Sequence, residues 1–284
     1  MLKETKEGWR NIALITEYDG TKFAGWQRQA EPIRTVQGLL EKGLAKICGH
    51  KITLYASSRT DGGVHALGHV SNFKTNCSIP TERIPLAMPS VLADDVVVKR
   101  AIDVDKDFNA RYHAKEKTYS YYIWEGRRPS AILGRYSYHS PVALDLDKMQ
   151  RAVKDFIGYH DFLAFKAEGG QTKTSLRTIF DARIEVVGTT SEAGSQLFLA
   201  GRSDRGRLLR IVVTGSGFLY NMVRIMAGTL YYIGQGKIDE DAIPKIIASR
   251  DRKHAGITLP PQGLILDEVG YDLLYEENEN GKLF

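Results

Sequence analysis

Apolar and polar residues take turns over Ile12, Leu14 and Thr16, a period of two that predicts a strand ending at Tyr18-Asp19-Gly20. The period then lengthens. Val36, Leu39, Leu40, Leu44 and Ile47 fall on one face of a helix that Thr35 can cap and Gly49 can stop. Alternation returns over Ile52, Leu54 and Ala56, predicting a half-buried strand over 51–56 that runs out at Ser57-Ser58. Further strands are expected over 69–73 and 96–102, with a short helix over 81–88 between them. The later part of the chain repeats this order loosely. A strand over 119–124 precedes a helix capped by Asp145 and carrying Leu146, Met149, Val153, Phe156 and Ile157. Strands over 178–187, 196–200 and 208–214 follow, the last two joined by Gly201-Arg202-Ser203-Asp204-Arg205-Gly206-Arg207 as an exposed hairpin tip. A helix over 218–233 then buries Leu219, Met222, Val223, Met226 and Leu230. The pattern predicts an α+β protein of two similar α/β halves, 1–110 and 111–284, around a central mixed, largely antiparallel sheet, with a cleft between them for a ligand.

Composition narrows the partners more than the fold. The 284 residues are 43% hydrophobic and 26% charged, as expected of a globular protein. Lys and Arg number 39 against 34 Asp and Glu, a net charge of +5 that tilts the expectation towards a polyanion. Cys48 and Cys77 belong to no CxxC pair or other metal-like spacing, which suits a reducing cytosol. No apolar run approaches the ~18 residues that span a bilayer, and no signal peptide is seen, so the expectation is a cytoplasmic protein off the membrane.

Candidate chemistry concentrates in Ser57-Ser58-Arg59-Thr60-Asp61-Gly62-Gly63-Val64-His65-Ala66, where an arginine, an acid and two glycines gather after a strand. Asp61 is the candidate chemical group, because loops on a rigid scaffold carry such groups and glycines let backbone approach a ligand. The same stretch also satisfies a plain Asp-Gly turn with a surface ion pair. Three clusters add basic and aromatic residues: Arg111 to Tyr119 running into a strand, Phe218 to Arg224 on an apolar helix, and Arg202, Arg205, Arg207 and Arg210 around a hairpin. Cations meeting phosphates and rings stacking on bases would suit an unpaired nucleic acid; packing tyrosines and solvated arginines would produce the same pattern.

The strings YDGTKFAGWQRQ, TVQGLLE, RTDGGVHA, FNARYHAKEKTYSYYI, HDFLAF, LRTI, GFLYNMVR and PPQGLILDEVGY, in this order from Tyr18 to Tyr271, resemble the tRNA pseudouridine synthase A family. The resemblance implies the α+β pseudouridine synthase fold and a homodimer that binds tRNA. It also implies an isomerase that needs no cofactor and no metal, and that converts uridine to pseudouridine at positions 38, 39 and 40 of the anticodon stem-loop. It further implies that Asp61 is the catalytic nucleophile and that Arg59 helps displace the base. Tyr119 would stack on the flipped uracil, and Arg224 would pair with the acid. Arg59, Arg111, Lys117, Arg202 and Arg205 are the expected RNA contacts.

Four positions depart from the family's usual GAGRTDAGVHA: Ala56, Ser57 and Ser58 stand where it has Gly, Ala and Gly, and Gly62 replaces Ala. Those changes leave a divergent uridine target as an alternative, alongside a tRNA-binding protein without catalysis. A metal site built from Asp61, His65 and His69 is disfavoured, since Gly62, Gly63 and Gly68 argue against the helix that would align the two imidazoles.

Overall fold

The computed structural model describes residues 8–170, 172–189 and 206–272. The predicted strand over 196–200 and the hairpin carrying Arg202 and Arg205 lie outside the described residues. The chain forms two compact units, one from 1–115 with 266–284, the other from 116–265.

In the first unit, strand β1 (Arg10–Tyr18) leads to helix α1 (Val36–Cys48), the short strand β2 (Tyr55–Ala56) and the long strand β3 (His65–Thr75). A helical turn α2 (Ile84–Ala87) and strand β4 (Val96–Val104) follow. β1 lies between β4 and β3, antiparallel to both. Helix α1 has the ends its sequence predicts. Thr35 accepts a hydrogen bond from the Gly38 N–H at 3.3 Å, and Gly49 leaves the helix in the left-handed region at φ 74°. Leu40 and Leu44 are fully buried, as are Ile12 and Leu14 of β1 and Phe73 of β3, each worth roughly 1.5–3 kcal/mol of transfer free energy.

The strand expected over 51–56 shrinks to two residues, and Glu41 explains why. This buried carboxylate accepts from the Leu54 N–H at 3.0 Å, from Gln37 at 3.0 Å and from Arg28 at 2.8 Å. The Leu54 amide is therefore spent on a helix side chain instead of a ladder, and pairing begins only at Tyr55 opposite Asn72.

Six successive residues of β1, Asn11 to Thr16, are buried, so both faces of the strand are covered. One face carries an amide network: Asn11 Nδ2 donates to the carbonyls of Asp105 and Phe108, while Asn11 Oδ1 accepts from Asn72. On the other face Thr16 stands directly opposite His69, and the register shifts between Thr16 and Tyr18, with the extra residue on β3.

The second unit runs from strand β5 (Ala114–Gly126), whose first two residues lie in the first unit, through β6 (Tyr138–Ser140), helix α3 (Leu146–Ala152) and β7 (Gly158–Asp161). It continues with β8 (Leu176–Thr189), β9 (Gly206–Gly215) and helices α4 (Met222–Gly234) and α5 (Ala242–Ser249). β5, β9, β8 and β7 pair in that order, all antiparallel, and β6 pairs parallel with β5, which makes the sheet mixed. Asp145 caps α3 by accepting from the Lys148 N–H at 3.1 Å, as its sequence predicts. The last strand, β10 (Leu264–Tyr271), lies beside β3. The fold is α+β.

Helix α4 begins at Met222, four residues later than its apolar pattern suggests. Asn221 sits at φ 59°, in the left-handed region that a helix cannot pass through, so the segment 218–221 is a turn ahead of the helix.

Candidate active site

Asp61 lies between β2 and β3, and the loop carrying it is stitched to a second loop, 19–26. Trp26 N–H donates to the Thr60 carbonyl at 3.0 Å, Gly63 N–H donates to the Phe23 carbonyl at 3.3 Å, and Gly25 forms an isolated antiparallel bridge with Asp61 itself. The Val64 N–H returns to the Asp61 carbonyl at 3.1 Å with Gly63 at φ 80°, closing a four-residue turn. The Asp-Gly turn that the motif predicts is present, with Asp61 as its first residue. The turn is what holds Asp61 at the loop's edge.

Close approach of the two loops depends on Gly25. Its φ is 117°, outside what other residues adopt readily, and a Cβ there would stand 2.7 Å from the Thr60 carbonyl oxygen. Along the loop exposure varies: Arg59 is exposed, Thr60 is buried and Asp61 is half-buried. The arginine points to solvent, where a polyanion can meet it, and the acid is partly sheltered.

Beneath this loop sit three rings. Trp26 and His69, both fully buried, stack at 3.6 Å between centroids with 21° between planes, and Tyr18 lies 5.9 Å from His69. His69 Nε2 is 3.0 Å from the Ser58 carbonyl oxygen, and the Tyr18 hydroxyl is 2.7 Å from the Thr60 hydroxyl. His65 Nδ1 accepts from the Gly20 N–H at 3.1 Å. Both histidines therefore serve the loops' own architecture, and they lie on strand β3 rather than on a helix.

The family departures cost no backbone strain, because none of Ala56, Ser57, Ser58 and Gly62 has a positive φ. A Cβ at Gly62 would lie 3.3 Å from the Phe23 carbonyl oxygen, so the usual Ala would need a shift of a few tenths of an ångström. Ser58 is different in kind: its Oγ is buried with no hydrogen bond. Ser58→Ala is accordingly expected to raise stability by about 1 kcal/mol, read from chemical or thermal unfolding. Unchanged or reduced stability would show that the hydroxyl is satisfied.

In the second unit, Lys117 and Tyr119 stand on β5 opposite Gly215 and Val213 of β9. Tyr119 is 7% exposed and meets the ring of Phe218 edge-on at 5.1 Å. Arg224, half-buried in the first turn of α4, donates to the Leu259 carbonyl at 2.6 Å through Nε and to Asn221 Oδ1 at 2.7 Å through Nη1. Its charge also acts on Tyr121, whose ionisation burial pushes far up and the guanidinium partly restrains. The strained Asn221 thus orients an arginine, a role that helical periodicity alone does not reveal. Arg111 is exposed on the loop before β5, where its backbone N–H donates to Asn109 Oδ1 at 2.9 Å. Arg59 and Asp61 belong to the first unit; Lys117, Tyr119 and Arg224 belong to the second.

An acid on a fastened turn, an exposed arginine beside it, and a buried tyrosine and an oriented arginine are groups that can act at a sugar carbon and hold a nucleotide. Among the described residues no helix is long and apolar enough to cross a membrane.

A family model described as tRNA pseudouridine synthase matches residues 14–113 and 152–272. The tRNA pseudouridine synthase A of Acetivibrio thermocellus is 47% identical over 262 residues, 92% of this chain and 100% of that protein. The enzyme of the same name from Caldicellulosiruptor saccharolyticus is 46% identical over the same shares, and tRNA pseudouridine synthase A 2 of Clostridium perfringens is 43% identical over 92% of this chain. Among solved structures, the archaeal box H/ACA sRNP Nop10-Cbf5 complex aligns at TM-score 0.31 and 9% identity over 78% of this chain and 43% of that one, too loosely to carry a functional inference. With matches along nearly its whole length, the chain belongs to the tRNA pseudouridine synthase family, enzymes that isomerise uridine in tRNA.

Proposed function

We propose that the enzyme acts on uridines of the anticodon stem-loop, on its 3′ side, with Asp61 as the catalytic nucleophile. In this reading the N1–C1′ bond of the target uridine breaks, the uracil turns in place, a C5–C1′ bond forms, the C5 proton is lost and N1 takes up a proton, so atoms balance and no cofactor is consumed. The carboxylate either attacks C1′ or assists departure of the base, work that carboxylates do at sugar carbons in glycosidases. Residues 1–110 would supply this acid, and 111–284 would supply Tyr119 against the uracil and Arg224 to keep the acid ionised. Arg59 would hold the position that the flipped base leaves, at a cost of a few kcal/mol for unstacking. Arg111, Lys117, Arg202 and Arg205 would meet phosphates. The protein would work in the cytoplasm as a homodimer.

The observation that supports Asp61 most is its mounting. A half-buried carboxylate sits on a turn fastened to a second loop on both sides, beside an exposed arginine. The test is to map pseudouridine in tRNA from cells lacking the gene, and in tRNA transcripts treated with the purified protein. Loss, and gain in the transcripts, confined to the anticodon arm is the expected result. Modification elsewhere would overturn the target assignment in favour of a divergent specificity.

A further inference from the structure

The rings beneath the catalytic loop are joined to it by polar contacts at alternate residues. Ser58 is met through its carbonyl by the His69 ring and Thr60 through its hydroxyl by the Tyr18 phenol, while the Thr60 carbonyl accepts from the backbone N–H of Trp26 rather than from its indole. Tyr18 is 3% exposed and Thr60 is 6% exposed, so their 2.7 Å hydrogen bond lies out of water. The two residues are 42 positions apart in the chain. Tyr18 ends β1 just past the register shift against β3, and its phenol meets the residue before Asp61.

We propose that Tyr18 is a positioning residue for Asp61, acting through the Thr60 hydroxyl; the inference rests on the reading of Asp61 as the catalytic acid. Thr60 is branched at Cβ, so fixing its hydroxyl fixes χ1 and restrains the backbone that leads into Asp61. Without the phenol, the Thr60 hydroxyl is left buried and unmatched, and the loop relaxes to recover a partner. A displacement of about 1 Å at a reacting group can cost on the order of a hundredfold in rate. The phenol has no need to touch the RNA to act in this way. Its loss therefore bears on turnover and leaves tRNA affinity alone.

The test compares Tyr18→Phe, Thr60→Val, the double variant and Thr60→Ser by kcat, KM for a tRNA transcript, and melting temperature. Tyr18→Phe and Thr60→Val should each lower kcat by about ten- to a hundredfold with KM within about threefold, and the double variant should be no slower than the slower single, since both remove one interaction. Thr60→Ser should recover most of the turnover that Thr60→Val loses, because it restores the hydroxyl. A kcat within about twofold of the parent in Tyr18→Phe, a loss seen only in KM, or effects that multiply in the double variant would each overturn the proposal. Should Tyr18→Phe fail to fold, the Thr60→Val and Thr60→Ser pair decides it: Thr60→Val matching the parent, or Thr60→Ser failing to recover turnover, overturns it. Asp61→Asn assayed in parallel separates the two levels. If that variant turns over, the assignment of Asp61 fails; if it is dead while Tyr18→Phe matches the parent, only the positioning role fails.

Discussion

Asp61→Asn should abolish pseudouridine formation, by at least about a thousandfold, while tRNA binding stays within about threefold of the parent. The amide keeps the size and shape of the side chain and removes its charge and nucleophilicity. The bridge to Gly25 and the bond from Val64 both use the Asp61 backbone and survive the change. Two measurements check it: release of tritium from C5-labelled uridine in tRNA, and retention of tRNA on a filter. Turnover within about tenfold of the parent would move the chemistry to another residue. Intact turnover with lost binding would make Asp61 a contact residue.

Gly25→Ala should be strongly damaging, because the added methyl meets both backbone strain and a carbonyl oxygen of the facing loop. At φ 117° the new residue pays roughly 1–3 kcal/mol of backbone strain. Its Cβ would also come within 2.7 Å of the Thr60 carbonyl oxygen, a separation real contacts do not sustain, so the two loops must part. A combined loss of about 2–4 kcal/mol is a large share of the 5–15 kcal/mol that holds a typical domain. Turnover should fall on the order of a hundredfold, because Thr60 and Asp61 move together. Gly49→Ala is the matched control: φ is also positive at 74°, but nothing lies within 4 Å of the added methyl. It should lose only the strain energy and keep its turnover. Equal loss of turnover in the two variants would show that general instability, not loop separation, is responsible.

The sequence makes local features legible and hides contacts between distant segments. Helix α1 can be read to its ends because Thr35 and Gly49 act on their own neighbours. The short β2 cannot, since the competitor for its amide is Glu41, thirteen residues away on a helix. Asn221 looks like one polar residue in an apolar run, and its left-handed backbone becomes visible only once Arg224 is seen to bond it. Asp61 is conspicuous from its motif alone. Tyr18 is not, because a tyrosine at a strand end usually packs, and its pairing with Thr60 exists only after β1 and the loop have met. A clue was present in the density of glycines and rings in YDGTKFAGW, which is more than a simple strand exit needs.

The first unit is assembled from both ends of the chain. Its sheet places β10, residues 264–271, beside β3, and Tyr271 then bonds the Ala110 carbonyl at 2.8 Å. On the ribosome, β3 emerges nearly two hundred residues before that neighbour exists. For most of synthesis the part of this flank of β3 that β2 does not pair therefore stays open, with unpaired backbone groups available to any extended chain nearby. A message that stops early would yield an enzyme with its Asp61 motif present and the adjoining sheet unfinished, a product suited to sticking and to proteolysis. Completion of the sheet beside the Asp61 loop thus waits on completion of the chain, by the order of its strands.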